Sequence, residues 1–267
     1  MRFGGREQYE RAQTAFETAA RLNPADPRPQ ILLANMFTDT NRAEQAVPVL
    51  RQIIKEHPDN ALAYWNLSYA YRYGGLLEKA IQTGEQAHAV DPGFVLRTDT
   101  PTYYLYTGDY DKFKTNLSPF NNSAFITFYR GFVNYHLREF GQAKRDFDQA
   151  YAMDSGSLQT QIGRALSLGL GDKPADGLKM LRRAESQILR QELYDAEGVY
   201  KISQAYAVLG DKPLALRVFR QSVVGGFFCY PYFLTDPLLS NIRREKEFDE
   251  ILELARQRHE TFVNNLS

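Results

Sequence analysis

Residues 58–92 read PDNALAYWNLSYAYRYGGLLEKAIQTGEQAHAVDP, and this stretch decides the fold. Within it Tyr64, Leu67 and Tyr71 stand at i, i+3 and i+7, one face of a helix over 61–73. Gly74-Gly75 ends that helix, because glycine takes the left-handed conformation at a helix terminus without a Cβ clash. A second helix then carries Ala80, Ile81 and Ala87 and exits at Asp91-Pro92. Alanine at the crossing lets the two backbones approach, where a larger side chain would push them apart. The unit is therefore a pair of antiparallel helices.

Outward from this stretch the pattern repeats. Pro24, Pro58 and Pro92 lie 34 residues apart, and Ala12, Ala46 and Ala80 keep the same interval. Phe3, Phe37, Tyr71 and Leu105 form a third series in that register. Self-similarity at such a period marks a repeat array. With more drift it continues through Gly131, Ala143, Phe147 and Ala150, then Gly163, Leu181 and Ala184. Ile202, Tyr206, Gly210, Ala215 and Phe219 form a clean later copy.

Spacing and residue types resemble the tetratricopeptide family over residues 1–224. That resemblance implies an all-α, right-handed α-solenoid of antiparallel helix pairs, a tetratricopeptide superhelix of about six to seven repeats. Its fourth repeat, near 95–120, is degenerate. Pro101 stands where the family has leucine, so that helix is expected to start late, with Thr100 capping and Pro101 in the first turn. Its partner from Asp109 is expected to stop near Ser118-Pro119. The first repeat is truncated, with Phe3 matching the end of a first helix, as expected of a segment of a longer protein with a domain boundary upstream.

Residues 225–267 break the period. Phe227, Phe228, Tyr230, Tyr232 and Phe233 read as an aromatic wedge; Asp236-Pro237 suits an N-cap and a first helical position. Phe248, Ile251, Leu252 and Ala255 then repeat the helical stripe, as in a C-terminal capping helix. This ending resembles the last segment of tetratricopeptide regions in bacterial multidomain signalling proteins, which follow a Ser/Thr kinase or a winged-helix domain. The resemblance implies a bacterial source and a regulatory role.

Composition limits function. Thirty-two basic residues balance 32 acidic ones, which argues against a nucleic-acid platform. No apolar run approaches the roughly 20 residues of a membrane span, so no membrane insertion is expected. Cys229, the single cysteine, permits no internal disulfide and reads as a packed small side chain. His57, His88, His136 and His259 lie far apart without metal-ligand spacing and are expected at solvated helix ends. Asp146 and Asp148 are expected on a charged helix surface. No phosphate-binding glycine loop, kinase signature, catalytic residue, metal site or cofactor is expected. Binding, not chemistry, is the expected activity, with a protein or peptide as partner.

In the family the first helix of each pair lines a concave groove. The corresponding positions here are Ile31 and Asn35, Trp65 and Tyr69, Asp99 and Tyr103, Phe128 and Phe132, Thr160 and Arg164, and Tyr200 and Gln204. From these, Asn35, Trp65, Tyr69, Tyr103, Phe128, Arg164 and Tyr200, together with Arg72, form the candidate partner-binding set. Aromatic anchors suit an extended or helical peptide. For Phe128 and Phe132, packing between repeats is an equal alternative. The chaperone-tail mode of the family needs a lysine where Ile31 stands and cations where Asp99 and Tyr103 stand. Without them a terminal carboxylate loses its charge-assisted hydrogen bonds. Self-association through an open N-terminal edge and small-molecule sensing in the groove are the other readings.

Overall fold

A computed structural model describes residues 6–94, 101–117, 122–190 and 194–266. Among them the regular structure is helical, with no strand. Helix α1 (Arg6–Leu22) is followed by six pairs: α2 (Arg28–Asp39) with α3 (Ala43–Glu56), α4 (Ala61–Tyr73) with α5 (Leu77–Val90), and the short α6 (Thr102–Thr107) with α7 (Tyr110–Asn116). Next come α8 (Ala124–His136) with α9 (Phe140–Met153), α10 (Leu158–Leu170) with α11 (Pro174–Ile188), and α12 (Ala196–Val208) with α13 (Lys212–Gly225). Phe3, Thr98, Asp99, Thr100, Ser118 and Pro119 lie outside the described residues.

Each pair is built the same way. Asn60, Ser123, Ser157 and Asp195 cap α4, α8, α10 and α12, each accepting a hydrogen bond from an amide of the first turn. Between the helices of every pair one residue has positive φ: Asn41, Gly75, Gly108, Arg138, Asp172 and Gly210. Three are not glycine, yet Asn and Asp tolerate this region better than most residues, so the turn survives where the glycine is lost. Ala46, Ala80, Ala143 and Ala215 are buried at the crossings. Ser68 donates from α4 to the Ala80 carbonyl (2.6 Å), and Ser203 from α12 to that of Ala215 (2.8 Å). Phe147 fills the space between two first helices: a Cβ at either Gly131 or Gly163 would come within 2.8 Å of its ring.

The tail does more than cover the last pair. Gly226, at φ 122°, lies so close to the Asn41 backbone that a Cβ would be 2.8 Å from its Cα. The chain then enters the concave face, where the Phe228 amide donates to the Tyr73 carbonyl (3.1 Å). Phe227, Phe228, Cys229, Tyr232 and Phe233 are buried there, the last two on the four-residue helix α14 (Tyr230–Phe233). Asp236 caps a 3-10 turn, Pro237–Leu239. Helix α15 (Lys246–Asn265) packs on α13 and reaches back to the early repeats. Arg258 bonds the Asn41 side chain, His259 Nδ1 lies 2.6 Å from the Gly74 carbonyl, and Phe262 presses on Gly74. Arg51 of α3 donates to the Leu266 carbonyl (3.3 Å). The solenoid is thereby closed into a ring.

Candidate functional site

Side chains of α2, α4, α6, α8 and α12 meet in one buried cluster of charged and hydroxyl groups. Asp195 stands at the start of α12 because its carboxylate caps the Glu197 amide (2.9 Å). The same Oδ1 accepts from the Tyr73 hydroxyl of α4 (2.6 Å). One turn into α12, Glu197 and Lys201 share a face at i and i+4, with Nζ 2.5 Å from Oε1. Arg72 of α4 reaches the other carboxylate oxygen at 2.7 Å, and Tyr106 of α6 donates to Oε1 at 2.5 Å. The Arg72 guanidinium lies over the Tyr69 and Tyr106 rings, each centroid 4.9 Å away. Lys201 sits 5.3 and 5.4 Å from the Tyr106 and Tyr129 rings.

Burial and pairing set the protonation states. Burial pushes the Glu197 carboxyl up, but the Arg72 and Lys201 charges outweigh it and hold the group at about 2. Lys201 is pulled below the usual lysine range by burial, with Glu197 opposing. Burial, then the nearby Asp195 charge, pushes Asp39 up to about 8. Asp195 is raised as well, by burial and then by Glu197. A second buried carboxylate, Asp236, accepts from Tyr200 (2.5 Å), Gln204 (2.6 Å) and the Leu238 amide (2.8 Å). Burial raises the Cys229 thiol to about 12, so it is a packed, protonated side chain. Asp195, Glu197 and Asp236 each accept hydrogen bonds from protein donors. Among the described residues no group of three or more His, Cys, Asp or Glu is placed to hold a metal ion, and no helix is long and apolar enough to cross a membrane.

This arrangement corrects half of the expected partner-binding set. Arg72, Tyr103, Phe128 and Tyr200 are buried, as are Ile31, Phe132, Thr160 and Gln204. Arg72 belongs to the central ion pair; Phe128 packs on Phe132 and Phe147, and Tyr200 on Phe227 and Phe233 of the tail. Tyr103 lies against Gly84, where a Cβ would come within 2.3 Å of its ring. Residues 227–233 fill the space in front of Tyr200, while Phe128 and Tyr103 are buried by packing against neighbouring helices. Asn35, Trp65, Tyr69 and Arg164 keep partial exposure. Arg164 is held by Asp148, which also binds Lys144 and Ser167. Trp65 stacks on Tyr69 with ring planes 7° apart and centroids 5.7 Å apart, and its indole N–H makes no protein hydrogen bond.

Two further expectations fail. His136 is not a solvated helix-end residue: its ring stacks on Tyr110 at 5.1 Å, and burial followed by the Lys201 charge lowers it to about 3. Asp146 is 2 % exposed and accepts from Arg130, Asn134 and Gln142. Sequence reasoning also missed Asp39, Asp195, Glu197 and Lys201, and it read Asp236 as the N-cap that it is without its buried bonds to Tyr200 and Gln204. One signal was available: a Glu-Lys pair at i, i+4 inside the otherwise apolar AEGVYKISQAYAV of α12.

Residues 5–68 match the family described as tetratricopeptide repeat. No curated protein sequence matches the chain significantly. Among solved structures it is similar to the APC/C hetero-tetramer Cut9-Hcn1, with a TM-score of 0.64 at 10% identity over 96% of this chain. The chain spans about half the length of that relative (50%). It is similar too to a tetratricopeptide repeat protein from Parabacteroides merdae, TM-score 0.50 at 14% identity, covering 91% of each chain. These likenesses bear on fold. The six helix pairs and these likenesses give the chain the fold of a tetratricopeptide-repeat solenoid, and residues 5–68 match that repeat family.

Proposed function

We propose that the protein is a non-catalytic interaction module that takes a protein or peptide partner at the rim of its concave face. Tetratricopeptide folds generally mediate protein–protein interaction. The observation that carries the reading to this place is Trp65: a partly exposed indole stacked on Tyr69. A large aromatic kept at a surface and held rigid by its neighbour is the usual form of a binding anchor. Deeper anchors are withheld, because residues 227–233 occupy the interior. The site is therefore a shallow aromatic shelf suited to one or two apolar side chains of a peptide. In a longer bacterial protein this module would serve as a regulatory arm, a role supported by the likeness of its tail to such regions.

The test is a displayed peptide library panned against the protein, with the enriched peptides re-measured against Trp65→Ala. Truncating an interface anchor costs about 2–4 kcal/mol of binding, roughly 30- to 1000-fold in Kd. Melting temperature should stay within a few degrees. Peptides that bind the variant as tightly as the parent refute the shelf.

A further inference from the structure

Four oxygens join the early and late repeats in a single file. The Tyr69 hydroxyl lies 2.7 Å from Asp39 Oδ1 and 2.8 Å from the Tyr73 hydroxyl, which lies 2.6 Å from Asp195 Oδ1. Asp39 ends α2, the tyrosines sit one turn apart on α4, and Asp195 caps α12. The file thus spans the seam at which the ring closes. It contains three hydrogen-bond contacts, but the two phenols bring only two protons. With both carboxyls ionised, one contact would set two lone pairs face to face inside the protein, with no proton between them. A third proton must therefore reside on one carboxyl.

The surroundings decide which one. Asp195 also accepts the Glu197 amide and lies near Lys201, so its negative charge is compensated. Among the described residues, the hydrogen bond at the Asp39 carboxyl is the one to the Tyr69 hydroxyl. We propose that the ring carries a proton latch: Asp39 is a neutral acid donating to Tyr69, Tyr69 donates to Tyr73, Tyr73 donates to the Asp195 carboxylate, and loss of the Asp39 proton loosens the seam. Among the described residues, the charged and titratable groups around this file include Arg72 on α4, Glu197 and Lys201 on α12, and Tyr106 on α6. Arg72 and Lys201 are already paired with Glu197, so neither cation is free to neutralise an ionised Asp39.

The sign follows from the folded-state value. Burial and the Asp195 charge raise Asp39 to about 8, far above its ordinary range. A group raised on folding gives stability that is whole below its unfolded pKa and is lost as pH rises through its folded pKa. The seam therefore weakens from mildly acid toward alkaline pH, with the latch itself opening near the folded value.

Asp39→Asn tests this, because the amide keeps a donor for Tyr69 and cannot titrate. Melting temperatures of parent and variant are compared from pH about 6 to about 9. The parent should lose stability steadily across that range, and the variant should show a clearly shallower slope. Infrared spectra supply an independent arm that needs no variant. A protonated-carboxyl band present at pH about 6 should vanish by pH about 9, and Tyr69→Phe should shift it. An equal slope in Asp39→Asn, or no such band in the parent at the lower pH, overturns the latch.

Discussion

Glu197→Gln is the substitution that most directly probes the closed centre. Glu197 is 5 % exposed and faces Arg72 and Lys201, which are 3 % and 1 % exposed. Removing its charge leaves two buried cations against the partly compensated Asp195. The carboxyl is held at about 2 against the usual glutamate value of 4.5, which corresponds to about 3 kcal/mol at neutral pH. Breaking a buried ion pair by removing one partner costs about 3–5 kcal/mol, so the two routes agree. Equilibrium denaturant unfolding followed by circular dichroism should report that loss. The pH dependence has the opposite sign to that of Asp39. A carboxyl depressed on folding contributes stability above its unfolded pKa, and loses it as pH falls toward its folded value of about 2. Adding Lys201→Met to Glu197→Gln removes the excess cation and should recover more than about 1 kcal/mol, since a balanced or apolar centre avoids the unpaired charge. A Glu197→Gln cost below about 0.5 kcal/mol would mean that water reaches the pair and that the ring is open in solution.

Ala80→Leu and Ala215→Leu should each destabilise by about 1–3 kcal/mol through overpacking at crossings where no space is exposed; unchanged melting temperatures for both would remove the repeat register. Phe228→Ala should cost about 3–5 kcal/mol, because the ring is 3 % exposed and packs on Phe262 at 5.7 Å. Its hydrogen-exchange protection should fall around Gly74 as well as in α15, whereas a loss confined to the tail would contradict closure.

Much of the fold was legible because a repeat protein specifies itself through neighbours. Ala46 and Ala80, with the prolines that end each unit, encode contacts within a pair and between adjacent pairs, and a fixed period reports such contacts directly. The same logic explains the drift in later copies. Arg138 and Asp172 take the left-handed turn position that Gly75 and Gly210 hold elsewhere, so the geometry persists after the glycine signature has gone.

The candidate site was legible only at its edge. The expectation for Trp65 and Tyr69 came from the family's groove positions together with the core face that Tyr64, Leu67 and Tyr71 already fill, and both side chains keep partial exposure. Placing Tyr103, Phe128 and Tyr200 correctly required knowing what stands opposite them, and those contacts are long in sequence. Tyr73 meets Asp195 across 122 residues, and His259 meets Gly74 across 185. Periodicity says which face of a helix turns inward, but not whether the space it faces holds a partner or another part of the chain. Residues 227–233 settle that here by filling the groove with aromatic side chains. A groove lined with tyrosines and buried carboxylates would be costly if left open to an apolar peptide, because each hydroxyl and charge would need a donor or acceptor from the ligand. The protein supplies those partners itself, from α4, α6 and α12, which is why the inward-facing aromatic residues serve closure.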